Sequence, residues 1–279
     1  MMRPLSIIIF LFSFCFPMDK AGTSAAKFLS IGTGGKAIGM GGAYTAVADD
    51  ASAMFWNPAG AARISDSEFY VDHSNWLADI NHNYLGIVMP LSNSSSWGLN
   101  IISLSMPEMN VTRYGEEYTG ETFRAGSYAI GATWAANLTD RFSIGFNGKY
   151  IREFISRSVA SGLALDVGTL FNTVFGPTLG ISISNFGPKM QMNGADLLIN
   201  VDDVSNNSKI NADLSTEKFN LPLTMRFGIS KTHEIGAMQL LWAFDAVSPM
   251  DNSEYVNMGF DLKFLSNIHI RGGGNSIFL

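Results

Sequence analysis

Two stretches carry residues whose types and spacing could do chemistry. The run Gly32-Thr33-Gly34-Gly35-Lys36-Ala37 has the glycines and lysine of a phosphate loop. Its spacing is wrong, and Ala37 stands where the magnesium-binding hydroxyl belongs. Read as a dinucleotide loop, Gly32-x-Gly34-x-x-Ala37 lacks a strand–helix context and any following βαβ pattern. The run reads instead as a flexible segment packed closely against a wall. Asp49 and Asp50 could be an acid–base pair, but no histidine or nucleophile lies at useful spacing. They are expected to cap a short helix reaching Met54, or to pair with cations such as Lys149, Arg226 or Lys263. His73, His82, His233 and His269 show no metal-ligand spacing and belong at turns or strand ends. No catalytic residue, cofactor or metal is expected, and the chain does not read as an enzyme.

The segment that must position these residues runs from 39 to 64. It is glycine- and alanine-rich, with few side chains large enough to anchor a core. Asn57 followed by Pro58 reads as the cap and first position of a short helix through Ala62. Pro58 fixes the backbone, Asn57 can satisfy free amides, and Ala59 with Gly60 permits tight packing. Asp49, Asp50, Trp56, Asn57, Pro58, Ala59 and Gly60 are therefore the candidate hatch residues, either anchoring a plug or gating it.

Only 15% of the 279 residues are charged, against about 25% in ordinary soluble domains. Glycines number 28 and aromatics make up 12%, and mean hydropathy is positive. Beyond the first residues no run approaches the roughly 20 apolar residues of a spanning helix. That combination suits an apolar exterior without membrane helices. Net charge is −6 and there is no basic run, which argues against nucleic acid. Arg3 and the apolar block 5–16 read as a leader cleaved near Ala21 or Gly22. The single cysteine, Cys15, lies inside it, and Phe12-Ser13-Phe14 is too bulky for a good lipidation signal. Export without disulfides suits a Gram-negative envelope.

From about Glu68 onward the period is two. Phe142, Ile144, Phe146 and Tyr150 share one face; Ser143, Gly145, Asn147 and Lys149 share the other. Stretches 237–247 and 255–264 repeat the pattern. The second face is small and neutral with scattered charges: Lys149, Asp166, Arg226, Asp245, Asp261 and Lys263. A soluble sandwich would charge that face heavily. Small residues there suit an enclosed lumen, with the greasy face meeting lipid. Trp76, Trp97, Trp134 and Trp242 fall near strand ends or on the apolar face, and several of them then read as interfacial anchors. About eleven strands are visible, and their connections alternate in length. Those near 90–95, 137–140, 172–177, 231–236 and 265–267 are short. Those near 75–83, 105–124, 153–158, 187–221 and 248–254 are medium or long. Short turns on one side and longer loops on the other are a transmembrane-barrel habit. By this reckoning the 39–64 segment enters the lumen from the periplasmic side.

Several stations along the chain carry a family resemblance. They are Ser24 to Leu29, the Gly32 to Gly42 run, Ala48-Asp49-Asp50-Ala51 and Phe55-Trp56-Asn57-Pro58-Ala59-Gly60. Then come Gly120-Glu121-Thr122-Phe123, Ile183-Ser184-Asn185-Phe186-Gly187-Pro188-Lys189-Met190, Leu221-Pro222-Leu223, Asp245-Ala246-Val247 and Arg271-Gly272-Gly273. The chain resembles the PorV/PorQ family of outer-membrane proteins, itself similar to the long-chain fatty acid transporter barrels. The resemblance implies an all-β transmembrane antiparallel barrel of about 14 strands, with an N-terminal hatch of short helices.

The expected organisation is a signal peptide at 1–22, a hatch at 23–65, and a barrel at 66–279 that is incomplete at its carboxyl end. The resemblance implies a role in protein secretion of the type IX kind at the outer membrane. The alternative is passive transport of hydrophobic small molecules such as long-chain fatty acids. Expected partners are outer-membrane lipid, secretion-machinery proteins or exported cargo, and hydrophobic small molecules.

Overall fold

A computed structural model describes residues 22–116, 119–203, 208–236, 238–264 and 268–277. The expected leader, apart from Gly22, lies outside them, Cys15 included. Eleven long strands form one antiparallel wall. They are β1 (Glu68–Asn75), β2 (Asn81–Ser92), β3 (Ser95–Ser105), β4 (Ala125–Asn137), β5 (Phe142–Ile155) and β6 (Ser158–Asn172). The wall continues with β7 (Thr178–Phe186), β8 (Thr224–Ile235), β9 (Met238–Pro249), β10 (Tyr255–Phe264) and β11 (Ile268–Ile277). Each pairs with the next in chain order. The visible strand count agrees with the eleven read from periodicity; the fourteen implied by resemblance are not reached among the described residues. β1 and β11 are not hydrogen-bonded to each other among those residues.

The alternation in sequence becomes two faces with opposite chemistry. Phe146, Phe244 and Phe260 are 36%, 41% and 42% exposed on the outside. Asn147, Asp166 and Asp245 point inward and are 1%, 1% and 0% exposed. Burying the polar set and exposing the aromatic one inverts a water-soluble sheet. It follows from the pleat, since residues two apart share a face.

The hydrophobic core lies inside the curve of the wall. There Met40, Tyr44 and Trp56 of the N-terminal segment pack with Tyr84, Ile102 and Ile151 of the strands. A second cluster joins Met54 and Ala61 to Val88 and Ala135.

One end of the wall carries short turns at 93–94, 138–141 and 173–177, and β8 and β9, like β10 and β11, follow each other at that same end. The other carries the long excursions 106–124 and 187–223, with shorter links at 76–80 and 250–254. The expected alternation is kept with one correction. The 153–158 connection is a two-residue turn at Ser156 and Arg157, because Ser156 takes a left-handed φ of 52° and both flanks stay in the ladder.

The N-terminal segment holds α1 (Gly35–Gly39), α2 (Ala53–Trp56) and a 3₁₀ helix at Pro58–Arg63. Thus the glycine-rich run read as merely flexible contains a helical turn. That helix lies between the two wall edges. Gly34 N–H donates to Asp72 of β1 at 2.9 Å, while a Cβ on Gly41 would stand 2.3 Å from the Gly274 backbone of β11.

Candidate functional site

The hatch crosses the enclosed space from one end to the other. At the long-loop end Ser24 bridges Asn220, and its hydroxyl donates to Asp251. Lys27 Nζ lies 2.7 Å from the same Asp251 carboxylate. Burial pushes the Asp251 carboxyl up, but the Ser24 and Lys27 contacts outweigh it and hold the group below its ordinary value. Ala26 N–H donates to Glu153 at 3.0 Å. At the short-turn end Ser96 Oγ donates to Ala61 O at 2.5 Å, and Asn137 Nδ2 to Ala62 O at 2.8 Å. The segment therefore starts at the long-loop end. This corrects the expectation of entry from the short-turn side, which was drawn from strand direction and could not see where residues 23–34 run.

Between these ends the wall reaches inward to the hatch backbone. Asp245 Oδ2 accepts the N–H groups of Tyr44 at 2.9 Å and Thr45 at 2.8 Å. Asn147 Nδ2 donates to Met54 O, Ser230 Oγ to Ala46 O, and Asn257 Nδ2 to Gly42 O, all within 3.2 Å. Tyr84 OH donates to Ala51 O at 2.9 Å. The hatch has little regular structure of its own, so its carbonyls and amides need partners once buried. The small polar residues of the inner face supply them.

Asn57, Pro58, Ala59 and Gly60 sit where the spacing places them. Asn57 is fully buried and caps the 3₁₀ helix, accepting from Ala59 N–H at 3.2 Å. Its amide donates to Thr45 O at 2.8 Å within the hatch and to Thr169 O at 3.0 Å in the wall. Gly60 is required by crowding, since a Cβ there would meet Ala48 O at 2.1 Å. Trp56 Nε1 donates to Thr33 O at 2.9 Å, and its ring lies under the Arg226 guanidinium at 5.5 Å.

Asp49 and Asp50 do not pair with Lys149, Arg226 or Lys263. Asp49 binds Lys36 at 2.6 Å and accepts the Tyr44 hydroxyl at 2.7 Å. Burial, then the nearby Asp49 and Asp50, push the Tyr44 phenol far above its ordinary value, so it stays a neutral donor. Asp50 accepts the Ser52 N–H at 2.9 Å, just ahead of α2. The hatch folds back on itself here, which brings its own lysine nearer than any wall cation.

The inward charges form separate groups. Lys149 pairs with Asp166 at 2.8 Å, and Asn185, at a left-handed φ of 64°, bonds to both. Arg226 donates to Ser184 at 3.1 Å. Asp261 lies 2.9 Å from His269 and 3.1 Å from Arg271. Lys263 is half-buried on the same face of β10 as Asp261. His82 is 1% exposed on the inner face of β2, more deeply buried than a strand-end position required.

Sequence reasoning missed the inner-wall glycines. A Cβ on Gly145 would lie 2.3 Å from Pro58, on Gly168 2.0 Å from Asn57, and on Gly259 2.2 Å from Met40 O. Gly180 and Gly228 meet Thr45 and Ala46 in the same way. The available signal was glycine recurring at inward positions, which marks close approach of another backbone.

Sequence reasoning also missed a cavity of about 680 Å³ at the long-loop end. Met109, Val111, Phe123, Ile155, Met192 and Leu197 give it an apolar lining. Its carboxylate, Asp196, is held by Arg157 N–H at 2.8 Å and by Arg157 Nε at 2.7 Å. The Arg157 backbone, the Ser156 hydroxyl and the Arg157 side chain hold that carboxyl below its ordinary value. Met192 packs on the core cluster that contains Phe28 and Leu29 of the hatch. The size suits a small organic ligand.

Comparison with known proteins agrees with this architecture. The sequence model of an uncharacterised protein family (UPF0164) matches residues 16–152, just under half of the chain. No curated protein is similar enough in sequence to match. The Pseudomonas putida toluene transporter TodX is similar in structure with a TM-score of 0.58 and 11% identity, over 89% of this chain and 84% of that one. A Pseudomonas aeruginosa FadL homologue gives 0.53 and 11%, over 87% and 79%. A TodX monoaromatic hydrocarbon channel mutant gives 0.54 and 10%, over 87% and 81%. At such identities the likeness establishes the fold: an antiparallel β-barrel with the architecture of these channels.

Proposed function

We propose that this chain is an outer-membrane barrel of a Gram-negative cell that admits hydrophobic small molecules by passive passage, without catalysis. The long-loop end faces outward, residues 1–22 are a removed leader, and residues 23–65 act as the hatch. The apolar cavity beneath the long loops carries the reading: its lining suits a greasy ligand, and one lining residue, Met192, packs on the core cluster to which hatch residues belong. The outward Phe, Leu and Ile face supports the location, because each such side chain, roughly two-fifths exposed, would forfeit about 1 kcal/mol of burial in water. No helix among the described residues is long and apolar enough to cross a membrane, so the strands would have to do it. Solved relatives in fold are named as a toluene transporter and monoaromatic hydrocarbon channels. No observation here favours the protein-secretion role over small-molecule passage.

The test is binding of a fluorescent alkyl probe to folded protein in detergent. Phe123→Asp places a charge in the cavity and should weaken the probe by about 2 kcal/mol, roughly thirtyfold. A heat-modifiability gel checks that the barrel persists. Unchanged binding with the barrel intact would remove the cavity from the path.

A further inference from the structure

Arg152 of β5 stands on the greasy face without a counter-charge. Its position is outward by the same parity as Phe146 and Tyr150. It is half-buried, none of its guanidinium nitrogens is sealed in, and it has no hydrogen bond or ion pair among the described residues. Other arginines at the long-loop end are served differently, since Arg113, Arg124 and Arg157 each lie within 3.0 Å of a carboxylate. No Asp or Glu occupies an outward position of β1 to β6.

Arg152 also belongs to a row. His73, Asn83, Ser103, Tyr128, Arg152 and Ser161 stand directly opposite one another on β1 to β6. The row two residues nearer the short turns is Val71, Leu85, Ile101, Ile130, Tyr150 and Leu163, and is greasy. From Phe142 to Arg152 the strand runs about 33 Å, or about 25 Å across a wall tilted by roughly 40°, which matches the apolar band of a membrane barrel. The polar row therefore falls at headgroup level. On β1 to β3 it bonds to itself, His73 Nδ1 lying 2.6 Å from Asn83 Oδ1 and Asn83 Nδ2 donating to Ser103 Oγ at 3.4 Å. On β4 to β6 it is open. The Tyr128 hydroxyl has no partner among the described residues, and Ser161 Oγ accepts the Tyr150 hydroxyl at 3.2 Å while keeping its own proton to donate.

We propose that Arg152, with Tyr128 and Ser161 beside it, binds the phosphate of an anionic phospholipid in the leaflet at the long-loop end. The planar fork of the guanidinium fits two phosphate oxygens. Side chains directly opposite across strands stand about 5 Å apart at Cβ, so both hydroxyls reach the same headgroup. With no outward carboxylate on these strands to receive a headgroup ammonium, the site favours a lipid of net negative charge. The inference rests on the membrane placement proposed above and is independent of what passes through the lumen.

Native mass spectrometry of the detergent-folded protein tests it, with phosphatidylglycerol, phosphatidylcholine and diacylglycerol offered in turn. Phosphatidylglycerol should be retained at least about tenfold better than diacylglycerol and several-fold better than phosphatidylcholine. R152Q should lose about tenfold of that retention, as expected for one charged hydrogen-bonding partner. S161D should lose as much by giving Arg152 a carboxylate within the wall, and it serves where R152Q does not fold. A heat-modifiability gel checks both variants. Retention unchanged in the folded variants, or no better for phosphatidylglycerol than for either other lipid, would overturn the site alone. Failure of the wild-type protein to insert into phosphatidylcholine vesicles would overturn the membrane placement and the site with it.

Discussion

Gly145→Ala should dislodge the hatch while leaving the wall intact. The added methyl would stand 2.3 Å from the Pro58 carbonyl carbon and 2.5 Å from Ala59 N, both backbone atoms. Ordinary carbon contact begins near 3.5 Å, so the hatch backbone must retreat by about 1 Å. A shift of that size takes the Asn57 amide out of reach of Thr169 O, now at 3.0 Å. Overpacking of this kind costs about 1–3 kcal/mol. One or two lost hydrogen bonds, each leaving a buried group unpaired, add about 1–3 kcal/mol apiece. Docking of residues 57–63 should therefore weaken by about 2–9 kcal/mol. Gly148→Ala is the control, on the outer face of the same strand with nothing within 4 Å of its Cβ. The assay is limited proteolysis after Arg63, with a heat-modifiability gel to confirm the barrel. G145A should be cut many times faster than wild type and G148A at the wild-type rate. Equal cutting of the two variants would refute the idea that inner glycines are hatch-docking sites.

Two further outcomes follow from the charges. Lys149→Met leaves Asp166, 1% exposed, without its cation, and should destabilise the barrel by about 3–5 kcal/mol; the double variant K149M/D166N, which removes the charge but keeps an acceptor for the Asn185 N–H, should recover most of that loss in a denaturant melt. Asp251 titrates below its ordinary 3.8 when the Ser24 and Lys27 tether is formed, so the tether's contribution is present above that value and is lost as pH falls through the lower folded value. Hydrogen-exchange protection of residues 24–30, taken relative to the intrinsic rate at each pH, should therefore fall in acid, and D251N should show the reduced protection already at pH 7. Acid-insensitive protection would separate the tether from Asp251.

Much of this architecture was legible without coordinates. Two-residue periodicity in stretches such as 142–150 and 255–264 determined both the strands and which face was greasy, because side-chain direction in a strand depends only on parity. Asn57-Pro58 determined its helix start for an equally local reason: proline presets the backbone and asparagine caps it. Connection lengths separated the two ends of the wall. Local chemistry could not say what fills the lumen. That Gly145 and Gly168 admit Pro58 and Asn57, that Asp245 holds Tyr44 and Thr45 about 200 residues away, and that Lys36 rather than Lys149 meets Asp49 are facts of chain path. The apolar cavity is of the same kind, since Phe123 and Met192 come from two different loops. Periodicity is fixed by a residue's nearest neighbours in the chain, whereas these contacts depend on how the whole wall curves around the hatch.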